Sequence, residues 1–173
     1  WAMRELGGFR MGPFELMDFI GLDVNFAVTR SVYEQTFHDP RYRPSLTQQR
    51  LVEAGRLGRK AGRGFYDHAE GAAQPEPRRD EALADAIVLR VLAMLVNEAA
   101  DAVHWGLCSA ADVELAMTKG VNYPKGLLAW GDEIGPAVLV YELERLRDVY
   151  QEDRYRVSPR LRDVARTGGR LAP

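Results

Sequence analysis

The chain has 173 residues, 46% hydrophobic and 28% charged, with a formal net charge of −2 and a pI near 6.0. That length is one ordinary domain or two small ones, enough to bury a core. The charge balance excludes a global basic field pulling the chain onto nucleic acid or anionic membrane, and no run approaches the ~18 apolar residues of a membrane span.

Trp1 rather than methionine opens the chain, so the expectation is a start inside a longer gene product. The first strong pattern is GGFRMGPFELMDFIGLD, residues 7–23, in which Gly12 and Pro13 turn into an apolar run that stops at Gly21. Asp23 is expected to cap the helix that follows, NFAVTRSVYEQTF, by accepting an otherwise orphaned N–H. Ser45 and Gln48 form a capping-box pattern ahead of a helix ending at Gly55. Gly64-Phe65-Tyr66 hints at extended chain, and EGAAQPEPRR, between His68 and Arg79, reads as a linker. From Ala84 to Trp105 the residues Ile87, Val88, Val91, Leu92, Leu95, Ala99 and Val103 recur at steps of three and four, predicting a long helix ended by Gly106. Ser109 and Asp112 open a short helix that closes at Gly120. Pro136, placed where a missing N–H costs nothing, opens AVLVYELERLRDVY, and Ser158-Pro159 opens a last helix ending at Gly168. The fold class predicted is all-α.

The chain also repeats itself. Ala2-Met3 recurs as Ala116-Met117, and the same offset of 114 residues takes Gly12 to Gly126, Asp18 to Asp132, Ile20 to Ile134 and Gly21 to Gly135. After one lost residue, Arg41-Tyr42-Arg43 recurs as Arg154-Tyr155-Arg156, and Ser45 and Gly55 as Ser158 and Gly168. The expected organisation is a first helical copy over residues 1–67, a linker over 68–83, and a second, degenerate copy over 84–173. Copy two carries the long helix in front, whereas copy one has no counterpart of it in this chain. The two copies are expected to pack as a pseudo-dimer about an internal two-fold axis.

The stretches GGFRMGPFELMDFIGLD and RYRPSLTQQRLVEAGRLGRKAGRGFYD resemble the C-terminal domain of 3-hydroxyacyl-CoA dehydrogenases, with M-G-P-F-E-L-x-D-x-x-G-L-D and L-G-R-K-x-G-x-G-F-Y in order. Tandem copies resemble the bacterial long forms, including those of phenylacetate catabolism. The resemblance implies a two-part enzyme of fatty-acid or phenylacetate catabolism that oxidises 3-hydroxyacyl-CoA to 3-oxoacyl-CoA. A Rossmann domain would bind NAD and supply a His-Glu pair, the His taking the hydroxyl proton while hydride passes to the nicotinamide. The helical domain would close over the acyl chain and build a homo-oligomer. It would contribute one Asn, from an N-R pair that copy two replaces with Leu89-Arg90. Asn97 lies two turns beyond and is not that residue. No residue here matches a catalytic position, so the chain alone is expected to be inactive and to hold no NAD.

Met11, Gly12 and Pro13 are the substrate-contact candidates: in the family this loop faces the cleft, a glycine admits close backbone approach, and a methionine adapts to an acyl chain. The bland reading is a helix-start turn. Gly55 to Gly64 concentrates N–H groups and cations as a phosphate cradle would, but it fits neither Walker A nor G-x-G-x-x-G, and closure of the helical unit is favoured. His38, His68 and His104 are scattered, so no metal site is expected and surface or helix-end roles are. Glu98 reads as a buried ion-pair member with Arg90 two turns back, and Tyr123 and Trp130 as packing between the copies. The alternative function is a stand-alone helical binding or dimerisation module, separable by the sequence upstream of Trp1. Nucleic-acid binding through Arg56–Arg63 is disfavoured by the net charge.

Overall fold

The computed structural model describes residues 1–173. Nine α-helices follow in order: α1 Ala2–Glu5, α2 Pro13–Ile20, α3 Leu22–Gln35, α4 Leu46–Glu53, α5 Glu81–His104, α6 Ala110–Leu115, α7 Leu127–Ile134, α8 Pro136–Tyr150 and α9 Pro159–Thr167. Extended pairing is confined to isolated antiparallel bridges, Gly58 with Arg63 and Arg63 with Asp67, so the all-α expectation holds. The fold divides into two compact units. The first holds Trp1, Met3 and residues 11–79; the second holds Ala2, residues 4–10 and residues 80–173.

The second unit is built around α5. Asp80 caps this helix by accepting from Leu83 N at 3.0 Å, so it starts three residues before the sequence reading placed it. Its small and β-branched residues Ala93, Val96 and Ala100 turn inward against Leu128, Leu139, Leu143, Leu161 and Leu171, all fully buried. Each such leucine contributes about 1.5–3 kcal/mol of burial, which makes this cluster the dominant stabilising one. Close approach of α7 to α5 depends on Gly131, where a Cβ would lie 2.6 Å from Val96 Cγ1 and 2.9 Å from Leu171 Cδ1.

Starts and stops are where the structure departs from the pattern. The Ser109–Asp112 box forms in both directions, and the Ser109 side chain and N–H hold the Asp112 carboxyl below its ordinary value. The helix it opens ends at Leu115 and continues as one π-turn to Gly120. Asp23 is not the cap of α3: that helix begins at Leu22, Gly21 is its N-cap, and the Asp23 carboxylate turns to Lys60 Nζ at 2.6 Å. An aspartate in the first turn beside a lysine gains more from the ion pair than from an N–H already served by the Gly21 carbonyl turn. The Ser45 box is half formed. Its Oγ accepts from Gln48 N, but Gln48 Nε2 donates to Asn25 Oδ1 at 2.5 Å and so ties α4 to α3. Ser158 makes no side-chain cap, although Pro159 occupies the first turn as expected.

Candidate functional site

In the first unit the loop Met11-Gly12-Pro13 feeds directly into α2. Gly12 is the N-cap at φ −71° and ψ 155°, with no side-chain cap, and Pro13 removes one orphan donor. A Cβ built on Gly12 would meet nothing within 4 Å. In the corresponding turn of the second unit this space is taken by Glu114, whose counterpart at the 114-residue offset falls before Trp1, outside these residues. There the Glu114 carboxylate accepts from Leu128 N at 2.7 Å and Ala129 N at 3.3 Å, and a Cβ on Gly126 would press on it. Beside the open turn stands Phe14, 49% exposed, its ring 4.5 Å from that of Phe65. Open backbone flanked by Met11 and an aromatic pair is a surface suited to an apolar chain.

On the helix that this turn opens, Asp18 is 1% exposed. Its carboxylate accepts from Phe65 N at 2.8 Å, Tyr66 N at 3.0 Å and His68 Nε2 at 2.8 Å. Burial, with the Glu15 and Asp18 carboxylates, pushes the Tyr66 phenol above its ordinary value. Two glycines let the chain pass Asp18, Gly64 beside its carboxylate and Gly58 beside its backbone. A Cβ on Gly64 would lie 2.5 Å from Asp18 Cγ, and one on Gly58, which adopts φ +93°, 2.8 Å from Asp18 Cα. Asp132 plays the same part in the second unit, accepting from Leu171 N at 2.8 Å and Ala172 N at 3.1 Å.

The glycine-rich run that resembles an anion cradle is committed to this closure. Gly58 N donates to Arg63 O, Gly62 N to Arg59 O and Gly64 N to Tyr66 O. Arg56 donates to Gly64 O, Arg59 sits 3.7 Å from Glu15 and over the Phe19 ring, and Lys60 holds Asp23. With these amides and cations engaged, and no strand leading into the run, the residues present do not fit NAD.

The remaining candidates separate. His68 departs from a surface role by bonding to buried Asp18; His104 ends α5, and His38 borders an open cleft of about 470 Å³ with Tyr33, Arg30 and Arg43. No group of three His, Cys, Asp or Glu side chains is placed to hold a metal ion. Asn97 is 1% exposed; its Nδ2 donates to Arg156 O at 3.0 Å and its Oδ1 accepts from Ser158 N at 2.7 Å, which ties α5 to the start of α9. Arg90 turns to the tyrosines instead of to Glu98. Its guanidinium lies over the Tyr150 and Tyr155 rings and donates to both hydroxyls. Tyr123 and Trp130 pack on Phe9, at 5.1 and 5.7 Å between ring centroids, and burial pushes the Tyr123 phenol up. The sequence reading assigned no role to Asp18, Glu114, Phe14 or Phe65. The recurrence of Asp18 as Asp132 was the one available signal among them.

Fold and site together define an all-α module in which a glycine-rich turn is locked around the buried carboxylate of Asp18. The chain belongs to the family described as 3-hydroxyacyl-CoA dehydrogenase, C-terminal domain, whose profile matches residues 1–68 and 87–171. It is 32% identical to the 3-hydroxyadipyl-CoA dehydrogenase of Escherichia coli (strain K12), over 95% of this chain and 52% of that protein. A 3-hydroxybutyryl-CoA dehydrogenase of Bradyrhizobium diazoefficiens is 48% identical over 45% of this chain and 26% of its own. The crystal structure of 3-hydroxybutyryl-CoA dehydrogenase from Escherichia coli K12 superposes with a TM-score of 0.85 at 31% identity, covering 96% of this chain and 53% of that one. The chain thus spans about half the length of these two E. coli relatives. No helix is long and apolar enough to cross a membrane.

Proposed function

We propose that the chain is the acyl-binding and subunit-contact part of an NAD-dependent 3-hydroxyacyl-CoA dehydrogenase, with NAD and the proton-abstracting base held by a Rossmann domain outside these residues. The observation that carries this reading is the match to the C-terminal domain family over both units together with the whole-chain likeness to a solved 3-hydroxybutyryl-CoA dehydrogenase. The reading includes a place in fatty-acid or phenylacetate catabolism and a cytoplasmic setting. Met11, Gly12 and Pro13 contribute the surface against which the acyl chain lies, and chemistry is left to the other part.

The chain carries two copies of one helical module, over residues 1–67 and 84–173. Asp18 and Asp132 grip their closing turns alike, and Gly21 and Gly135 share one backbone conformation, φ 103° ψ 123° and φ 99° ψ 118°. A homo-oligomer is formed through the helical part.

Gly12→Val tests the contact. Its backbone angles suit any residue and no atom of residues 1–173 lies within 4 Å of its Cβ direction, so the thermal stability of residues 1–173 is expected to stay within about 2 °C of wild type. In the NAD-competent protein the added side chain stands where the acyl chain passes, and KM for 3-hydroxyacyl-CoA is expected to rise roughly tenfold, about 1.4 kcal/mol of lost binding. An unchanged KM with unchanged stability removes Gly12 from the substrate surface.

A further inference from the structure

A second apolar cleft lies wholly within the second unit, on the N-terminal half of α5. It encloses about 370 Å³ and is walled by Leu6, Val88, Leu89 and Ile134, with Ala86 at one side. Leu92, 3% exposed, forms its floor, whereas Leu6 is 39% exposed at its lip. This size is at the lower end of small-ligand pockets, which combine an apolar lining with few placed polar groups. Here the polar group is single: Asp85 is the one charged residue of the lining, and it is exposed. No cation lines the cleft.

That charge pattern selects among aliphatic ligands. A fatty-acid carboxylate would find no cation in the lining and would face the like charge of Asp85. A thioester-linked chain has no charge at its head, and the amide N–H groups of a pantetheine arm are donors of the kind an unpaired carboxylate accepts from. We propose that this cleft binds the acyl chain of a neutral acyl thioester, with Leu89, Leu92 and Ile134 around the chain and Asp85 accepting from an amide of the arm. It is a second acyl site, apart from the Met11–Pro13 turn of the first unit. The choice of an acyl thioester rests on the functional reading above.

The test uses residues 1–173 with ¹³C-labelled Ile, Leu and Val methyl groups, titrated with octanoyl-pantetheine and, separately, with octanoate. Saturable shifts of the Leu6, Leu89, Leu92 and Ile134 methyls with octanoyl-pantetheine, at least roughly tenfold tighter than with octanoate, are expected. Leu89→Asp is expected to abolish those shifts. Exposed Asp85→Lys leaves the core untouched and is expected to remove or invert the preference over octanoate. Absent shifts at these methyls up to millimolar ligand, shifts confined to the first unit, or a preference unaltered by Asp85→Lys would overturn the proposal. Failure of the dehydrogenase reading shows separately, as absent turnover in the NAD-competent protein, because the cleft variants lie outside the Gly12 turn.

Discussion

Asp18→Ala is expected to loosen the first unit by about 3 kcal/mol, because it strips buried N–H groups of their acceptor. Phe65 N and Tyr66 N would be left without this partner, and His68 would lose its anchor. The loss is measured by hydrogen exchange of the amides of residues 58–66, which is expected to accelerate by at least roughly a hundredfold, the factor that ~3 kcal/mol allows. Asp18→Asn keeps one acceptor oxygen and should fall between the two. A reciprocal change separates geometry from charge. Gly64→Ala retains the carboxylate but drives a methyl to 2.5 Å from its carbon, and should open the same amides. Protection unchanged in both variants would show that the glycine turn stands without Asp18.

Asn97→Ala is expected to lower the melting temperature of the second unit by roughly 10 °C or more, from about 2–4 kcal/mol of lost stability. Both ends of the amide are used: Ser158 N donates to it and Arg156 O accepts from it, and Ser158 is fully buried. Removing the amide leaves an orphan donor and an orphan acceptor in the helical core, together with a cavity beside Val96. Asn97→Asp keeps the acceptor and loses the donor, so it separates the two bonds. A melting temperature within about 2 °C of wild type for Asn97→Ala would deny the residue its structural role.

These two residues show what can and cannot be read from the chain. Helices with a sustained three-four spacing, such as α5 with Val88, Leu92, Leu95 and Val103, are written in local sequence, and their ends follow from Gly and Pro. The roles of Asp18 and Asn97 are not local. Each joins segments 47 to 61 residues apart, and no periodicity reports such a contact. Caps fail for a related reason. Asp23 satisfies the local rule for an N-cap, yet Lys60, 37 residues on, offers it a stronger partner, and Gln48 abandons its box for Asn25. Of the candidate site, Met11, Gly12 and Pro13 were legible as a turn, while the neighbouring Phe14–Phe65 pair depends on the fold bringing two distant residues together. At Gly126 the Glu114 carboxylate fills the Cβ direction, a contact between residues 12 apart that no periodicity reports.

The central claim is that these residues shape an acyl-binding surface for chemistry carried elsewhere in a dehydrogenase. The most direct measurement is NADH formation from 3-hydroxybutyryl-CoA and 3-hydroxyadipyl-CoA. It is made with residues 1–173 alone and with the same residues joined to the portion of the E. coli 3-hydroxyadipyl-CoA dehydrogenase outside the matched half. The account predicts no turnover by the chain alone and NAD-dependent turnover by the fusion, weakened by Gly12→Val. Turnover by residues 1–173 alone, or a folded fusion that binds NAD and leaves both substrates unoxidised, would contradict it.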